Sequence, residues 1–515
     1  MDNQFLVAVN IMVFSALIIA FAVSQRGRHV SLNALAVHVV VLALGGLALA
    51  LGWSQPGTML AAVFLPFVIV PGVLLYVSQR RSNMAKPAAA AAYAKWASFF
   101  SPTPDLRYNA RLLDALAIND TAACVAKLSA IRATCDPQRT VGVDALIFRV
   151  QDDWAGVLDV IRSAPEAADA LCALRVRALG ELGRCEEMVA AYQSSRTRLA
   201  ATELAQCHLF ILAFTGQEQG LAHYVDNPRI GYDAETKAYW KAVAALRSRR
   251  DAGAEHREMQ TLATASQRTL TRLAASRHVG DAAEPARRFL SEPARSEVER
   301  INARVLRDAP QWNRRLKTSP ITLTMILANA AMFGVELYRG GEEDLSILYE
   351  LGAMWPPAIL QSGEWWRLLT ATFLHFGWLH IAVNMASLSA LGVVVEARAG
   401  WWRMALMYLI GGIGSSAAVL ALMNAKVLNE GVLIGASGAV MALFGAMAAM
   451  EFRKWRTSRD VLDRRGVLAL SVILIVQIAT DMIIPEVSLA AHLSGFVIGA
   501  IVALSVGEKG PAKPA

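Results

Sequence analysis

The feature that most constrains this chain is a series of predominantly apolar runs, each about 20 residues long. A bilayer core is ~30 Å thick, and about 20 helical residues cross it. Lipid offers no hydrogen-bond partner to backbone groups, so such runs indicate helices. Three runs open the sequence, at 4–24, 32–52 and 58–78, and six follow a polar block, at 319–337, 368–396, 402–423, 431–450, 466–485 and 488–506. We therefore predict nine transmembrane helices.

Composition agrees with a membrane protein rather than a soluble enzyme. Hydrophobic residues make up 55% of the 515 residues, charged residues only 18%, and the mean hydropathy is +0.38. The first run has no basic residue before it, so we expect a retained membrane helix and not a cleaved signal peptide. We predict an all-α polytopic protein with three transmembrane helices in 1–85, a soluble helical domain in 86–313, a six-helix bundle in 314–508 and a short tail in 509–515.

Basic residues next to the apolar runs predict the orientation, because cytoplasmic loops are enriched in Lys and Arg. The segment 339–350 is acidic and is predicted to lie outside, whereas 451–466 carries six basic residues against three acids. The other basic clusters are Arg26 and Arg28; Arg80, Arg81 and Lys86; and Arg314, Arg315 and Lys317. These positions place the N-terminus outside and the polar block and C-terminus in the cytoplasm, and we predict a bacterial inner membrane.

The polar block contains a faint repeat. Gly183 and Gly216 lie in similar turns, each between two helical apolar patterns. Their separation is close to the repeat length of roughly 34 residues in tetratricopeptide-type solenoids, whose paired helices present a concave binding surface. The block therefore resembles such a solenoid, and an irregular helical bundle is the alternative. We expect a cytoplasmic protein partner for this domain and no nucleic acid.

All five cysteines lie in the same block: Cys124, Cys135, Cys172, Cys185 and Cys207. Their number is odd and their spacing matches no metal site, so reduced thiols in the cytosol are the simplest interpretation.

A few polar residues interrupt the last six apolar runs, where an unsatisfied polar group is costly and therefore a functional candidate. They are His375, His380, Asn384, Ser437, Asp481 and His492. The predicted topology brings Ser437, His492 and the pair His380 and Asn384 to one depth, just below the outer surface.

These residues can supply acyl-transfer chemistry. His492 could remove the proton of Ser437, which is otherwise a weak nucleophile. His380 and Asn384 share a helix face at i, i+4 and, with the Ser437 backbone N–H, could stabilise an oxyanion. We find no acid near His492 in sequence and predict a Ser–His dyad without a metal or organic cofactor. Asp481 and His375 are predicted to be interfacial.

Small residues predict how the distant helices approach. Gly435 and Gly438 flank the serine, and Gly438, Ala442, Gly445 or Ala446, and Ala449 form a thin seam along the seventh run. Gly495 and Gly499 form a similar seam below His492. Such seams let membrane helices pack backbone against backbone, which would bring Ser437 and His492 within hydrogen-bonding reach.

Several motifs together resemble the rhomboid family of intramembrane serine proteases. They are HFGWLHIAVNM, GASGA and AHLSGFVIG, with WWRLLTATFLH and LGVVVEARAG, and the similarity spans roughly 314–508. The resemblance implies that Ser437 is the nucleophile, that His492 is the base, and that His380 and Asn384 bind the oxyanion. It also implies that Trp366 and Arg367 support the first loop. Two positions depart from the family pattern, since a glycine is replaced by Ala442 and an aromatic residue by Met441.

The resemblance implies a protease that cuts transmembrane substrates within the bilayer, near its outer leaflet. The alternative is a catalytically silent membrane scaffold or receptor that binds transmembrane clients. A transporter is disfavoured because the membrane segments show few charge pairs and no broken-helix pairs.

Overall fold

A computed structural model describes residues 70–83, 87–100, 104–227, 230–248, 290–312, 318–341, 343–428, 431–459, 461–483 and 487–508, with isolated positions between 40 and 51. The chain divides into two compact units, Met1–Trp312 and Asn313–Ala515. The first two N-terminal apolar runs, and the third up to residue 69, lie almost wholly outside the described residues, so their transmembrane assignment stays a prediction.

The described part of the N-terminal unit consists of α-helices joined by turns and one short 3-10 helix. Its helices are α1 (Val70–Asn83), α2 (Pro87–Phe100), α3 (Pro104–Leu116), α4 (Thr121–Arg132), α5 (Pro137–Val150), α6 (Trp154–Ser163), α7 (Cys172–Glu181), α8 (Cys185–Ser195), α9 (Ala201–Phe214), α10 (Glu218–Val225), α11 (Ala234–Ser248) and α12 (Glu292–Trp312). All five cysteines are free thiols.

Short glycine turns join successive helices of this unit. Gly183 ends the turn between α7 and α8 with φ +73°, and Gly216 has φ +67° between α9 and α10. Positive φ is accessible to glycine without steric cost, which explains glycine at both places. The helix pair α7–α8 also contacts the next pair, α9–α10. A Cβ added to Gly180 of α7 would lie only 2.1 Å from the ring of Phe214, at the end of α9. The two helix pairs therefore pack tightly against each other.

The C-terminal unit contains nine described helices: α13 (Pro320–Tyr338), α14 (Leu345–Glu350), α15 (Pro356–Leu360), α16 (Arg367–Thr370), α17 (Gly377–Ala399), α18 (Trp401–Asn424), α19 (Ser437–Ser458), α20 (Val461–Ile483) and α21 (Leu489–Val506). By length and composition α13, α17, α18, α20 and α21 can cross a membrane. The described residues form no β-strand, only a single bridge between Met354 and Leu433. The protein is an all-α polytopic membrane protein.

Two of the predicted apolar runs do not coincide with a single helix. The run at 368–396 begins with the short helix α16 and a 3-10 turn, and α17 starts only at Gly377. The run at 431–450 begins outside α19, which starts at Ser437 and extends to Ser458. The second half of α19 carries several charges, so α19 is not among the five helices that qualify by hydropathy. It is instead the helix that the other helices enclose.

Small residues hold α19 against α21. A Cβ on Gly495 would lie 2.3 Å from the Gly438 carbonyl oxygen, and one on Gly499 would lie 1.9 Å from that of Ala442. The reverse contact also occurs, because a Cβ on Gly445 would lie 1.9 Å from the Phe496 carbonyl oxygen. Backbones touch at all three places. In lipid there is no hydrophobic driving force between helices, so van der Waals contact has to stabilise their packing. Small residues maximise this contact because they let the two backbones approach closely.

Helix α13 attaches to the bundle through a buried polar face. Thr322, Asn329 and Glu336 recur at heptad spacing and are each fully buried. The Glu396 carboxylate accepts hydrogen bonds from the Thr322 hydroxyl (2.7 Å) and backbone N–H (2.8 Å), at the first turn of α13. The N-terminal N–H groups of a helix lack intrahelical partners and favour a negative charge. Asn329 donates to the Tyr408 hydroxyl at 3.1 Å.

Exposed tryptophans mark two levels of the bundle. Trp378 lies in the first turn of α17, Trp365 and Trp366 directly precede α16, and Trp401 and Trp402 follow the end of α17. Tryptophan is enriched at membrane–water interfaces. From Trp378 to Ala399, the last residue of α17, the helix is about 32 Å long at 1.5 Å per residue, which is close to the ~30 Å of a bilayer core.

The contact between α19 and α21 should tolerate no added methyl group. We expect Gly499→Ala to lower the free energy of unfolding by about 1–3 kcal/mol, because its Cβ meets backbone that cannot move aside. Gly334→Ala is the matched control, since it lies in α13 with no neighbour within 4 Å. Thermal unfolding in detergent micelles measures both. Equal midpoints for the two variants would contradict this account of the seam.

Candidate active site

Ser437 is held at the start of α19 by an extended segment with fixed hydrogen bonds. Leu433 exchanges two backbone hydrogen bonds with Met354 (2.9 and 3.0 Å), and the Gly435 N–H donates to the Ala371 carbonyl at 2.8 Å. Gly435 has φ +122°, a conformation open to glycine but rarely to other residues. The chain can therefore turn sharply into α19, and the Ser437 side chain is left partly exposed.

Gly435 also makes room for His380. A Cβ at Gly435 would lie 2.8 Å from both Cε1 and Nε2 of His380 and 3.8 Å from Ser437 Oγ. Because both side chains approach the same side of Gly435, the structure brings His380 and Ser437 together. His380 is also close enough to His492 for the two imidazoles to interact electrostatically.

Hydrogen bonds orient the side chains of His380 and Asn384. The Phe376 N–H donates to His380 Nδ1 at 3.3 Å. A neutral imidazole carries one proton, so this bond places the proton on Nε2, the nitrogen that faces Gly435. The buried Asn384 amide donates to the His380 carbonyl at 3.1 Å, one helical turn away. An amide has two N–H groups, so a second donor is available.

His492 has a partner that sequence reasoning missed. Its Nδ1 lies 2.7 Å from Asp481 Oδ2, and the two side chains are 8% and 1% exposed. The prediction that Asp481 is interfacial is therefore wrong. Asp481 is near the end of an apolar run, but α20 turns it toward α21 and buries it. The signal that could have found it is its presence in a run that otherwise excludes charge.

The structure leaves the Ser437 hydroxyl without a hydrogen bond to His492. Among the described residues, the Ser437 hydroxyl makes no hydrogen bond, whereas the helix backbones beside the two residues do touch at Gly438 and Gly495. Hydrogen bonds of this kind are often long in unliganded enzymes.

A small cavity adjoins Ser437. Its lining includes Gly435 and Gly438, Ser415 and Ser416 of α18, and Ala491. The room for water-sized occupants is about 10 Å³, which is close to what one water molecule needs. Ser437 therefore borders a space in which a water could sit among polar groups.

His375 is not interfacial as predicted but fully buried. Its ring packs edge-on against His380 with centroids 5.2 Å apart. Its backbone N–H donates to Glu336 Oε1 at 3.1 Å, so α13 fixes the segment that leads into α17. The prediction failed because the chain before α17 turns inward, a path that spacing along the sequence does not reveal.

Arg367 connects the parts of the segment between α13 and α17. Its guanidinium donates to the carbonyls of Tyr349 (2.6 Å) and Ala353 (3.0 Å) and pairs with Glu364 at 2.5 Å. It also lies over the rings of Tyr349 and Trp366, at 4.2 and 4.7 Å from their centroids. Arg367 is buried and Trp366 is half exposed. Neither contacts Ser437, so their contribution is to the shape of the loop.

The donor set of the site suits proton transfer rather than metal binding. Within the described ranges, no group of three or more His, Cys, Asp or Glu side chains could hold a metal ion. Acyl transfer requires a hydroxyl nucleophile, an oriented imidazole and nearby hydrogen-bond donors. The site contains a hydroxyl at the start of a helix, an imidazole with one oriented nitrogen, and amide and imidazole donors.

Comparison with known proteins gives matches to part of the chain. Residues 362–509 match the rhomboid domain family. RHOMBOID-like protein 6, mitochondrial, from Arabidopsis thaliana is 33% identical over 154 residues, 30% of this chain and 48% of that protein. Rhomboid protease GluP from Bacillus subtilis (strain 168) is 30% identical over 186 residues, 36% of this chain and 34% of that protein.

A third relative, Inactive RHOMBOID-like protein 8 from Arabidopsis thaliana, is 30% identical over 155 residues, 30% of this chain and 41% of that protein. The chain thus spans less than half the length of these curated relatives. No solved structure gives a significant match. The matches support the rhomboid family, and the family match at residues 362–509 lies within the C-terminal unit.

Loss of Arg367 should destabilise the C-terminal unit. We expect Arg367→Ala to lower the free energy of unfolding by about 3–5 kcal/mol, because it leaves buried acceptors and a carboxylate unpaired. Arg339→Ala is the control, since Arg339 makes an exposed pair with Glu350 and such pairs contribute about 0–1 kcal/mol. Unfolding in detergent compares the two variants, and an equal loss would show that Arg367 is not a structural centre of the loop.

Proposed function

We propose that this protein is an intramembrane serine endopeptidase that cleaves transmembrane proteins. The observation that carries the proposal is the convergence of Ser437, His380 and His492 from three helices around Gly435 and Gly438. The rhomboid domain match and the similarity to a rhomboid protease support it.

In the proposed reaction, Ser437 Oγ attacks the carbonyl carbon of the scissile peptide bond while His492 takes the hydroxyl proton. The Nε2–H of His380, the free N–H of Asn384 and the Ser437 backbone N–H donate to the developing oxyanion. His492 then gives the proton to the leaving amine, and the acyl–serine ester forms. Water, deprotonated by His492, attacks the ester carbonyl; the acyl–oxygen bond breaks, His492 returns the proton to Ser437 Oγ, and the carboxylic acid product leaves.

The proposed substrate is a transmembrane segment that reaches the site from the bilayer. His380 and Asn384 lie about 3 and 9 Å further along α17 than Trp378, at 1.5 Å per residue. The site is therefore a short distance inside the interface that the tryptophans mark, where a substrate helix end could unwind. Water must also reach this depth, and the cavity beside Ser437 gives it a polar lining.

We further propose that the Ser437 end of the bundle faces outward and that the N-terminal unit is cytoplasmic. The opposite end of α19 carries a basic cluster, Arg453, Lys454, Arg456 and Arg459, which agrees with a cytoplasmic position. The bacterial inner membrane stays a prediction.

The alternative function is a catalytically silent scaffold that binds transmembrane clients. A relative whose name describes it as inactive gives this alternative a specific basis. A scaffold requires neither the Ser437 hydroxyl nor the His492 imidazole, and the chain has both.

Cleavage of a labelled transmembrane peptide in proteoliposomes separates the two functions. We expect Ser437→Ala and His492→Ala to lower turnover roughly 10³-fold or more, because each removes a group that acts in bond making. Ser471→Ala, an exposed serine of α20 whose hydroxyl bonds its own helix, should leave turnover unchanged. Equal product from wild type and Ser437→Ala would favour the scaffold.

For the N-terminal unit we propose a tetratricopeptide-like arrangement that binds a protein partner. The support is that two glycines with positive φ, Gly183 and Gly216, occupy equivalent turns in two successive helix pairs. Deleting residues 90–310 should remove co-purifying proteins from pull-downs of the tagged chain. An unchanged set of interactors together with unchanged cleavage would show that the unit is a passive insert.

A further inference from the structure

We propose that Asp481 is a positioning residue that orients His492, so that the reacting pair works as a serine–histidine–aspartate chain. This inference rests on the proposed function and replaces the dyad expected from the sequence. The observation that carries it is the 2.7 Å contact between His492 Nδ1 and Asp481 Oδ2. Both side chains are buried, and they come from different helices, α21 and α20.

The contact determines which nitrogen of His492 can act as a base. An ionised carboxylate only accepts hydrogen bonds, so Nδ1 must be the donor. The neutral ring then has its lone pair on Nε2, the nitrogen that can accept the Ser437 proton. When the ring becomes an imidazolium during the reaction, the carboxylate also stabilises its charge. Without Asp481 the ring could adopt the other tautomer or rotate away.

The environment of Asp481 fits this role. Gln477, one turn earlier on α20, donates its side-chain N–H to Asp481 Oδ1 at 2.8 Å. Each carboxylate oxygen therefore has a donor, which satisfies a group that is costly to bury alone. Two donors from two helices also fix the carboxylate plane. Among the described residues, the titratable groups shown to interact with His492 are Asp481 from α20 and His380 from α17.

The rest of α20 shows how selective this burial is. Only 6% of the apolar stretch of α20 is buried inside the protein. Among residues 463–482, the two buried residues are Asp463 and Asp481. Asp463 accepts from Ser458 at 2.6 Å and lies 3.4 Å from the Lys454 ammonium, at the other end of α19. Helix α20 thus has one buried carboxylate at each end, one beside the site and one far from it.

This symmetry provides a matched control. In full-length protein, Asp481→Asn should lower kcat roughly 10²–10⁴-fold with KM within about threefold, because it disturbs the base and not substrate binding. Labelling of Ser437 by a fluorophosphonate should slow by a similar factor. Asp463→Asn removes the same charge from the same helix, so we expect a lower Tm but kcat within about threefold. Asp481→Glu should recover part of the lost kcat, because it restores a carboxylate.

The inference would be overturned if Asp481→Asn kept more than a tenth of the wild-type kcat while Ser437→Ala was inactive. The proposed function would then remain intact. A wild-type protein without Ser437-dependent turnover would overturn both. Should Asp481→Asn fail to fold, ¹⁵N NMR of His492 in the wild type decides the question. A proton on Nδ1 supports the inference, and a proton only on Nε2 overturns it.

Discussion

The arrangement of the C-terminal unit depends on direct backbone contact between α19 and α21. Where Gly438 meets Gly495 and Ala442 meets Gly499, no side chain separates the two helices. In lipid, burying apolar side chains gains little, because acyl chains are equally apolar, and close packing has to provide the attraction. The same closeness is what a reaction between a serine on one helix and a histidine on the other requires. The stability of the unit and the proposed chemistry therefore depend on one set of small residues.

Buried polar groups then set the rotation of the outer helices around this centre. Glu396 satisfies the first turn of α13, and Glu336 at the other end of α13 accepts the His375 N–H. Helix α20 contributes a buried aspartate at each end. An apolar helix surface is nearly indifferent to rotation in lipid, whereas an unpaired polar group strongly disfavours every orientation but one. These few contacts specify which faces look inward.

Much of the site could be predicted from the sequence because its signals are local. The i, i+4 spacing of His380 and Asn384 and the small-residue seams around Ser437 and His492 depend only on helical periodicity. The burial of Asp481 and His375 could not be predicted in the same way. Asp481 and His492 lie on successive helices, and the direction in which Asp481 points depends on the rotation of α20. His375 lies in a segment whose inward path is set by two contacts. Glu336 accepts the His375 N–H, and the Ala371 carbonyl accepts the Gly435 N–H. Position along an apolar run gives depth in the membrane but not the facing direction.

The location of Asp481 on α20 has a physical consequence for the site. Of the helices that can cross the membrane, α20 has the smallest buried share, 6% against 44% for α18. An apolar surface in lipid makes no directional contact, so the two buried aspartates of α20 contribute directional contacts to its orientation. The Asp481–His492 hydrogen bond is therefore both an attachment of α20 and a determinant of the imidazole tautomer. A displacement of α20 that lengthened this bond would release the Nδ1 proton from its acceptor and free the ring to rotate. The orientation of His492, the proposed base, is thus coupled through this hydrogen bond to the position of α20, the membrane-crossing helix with the smallest buried share.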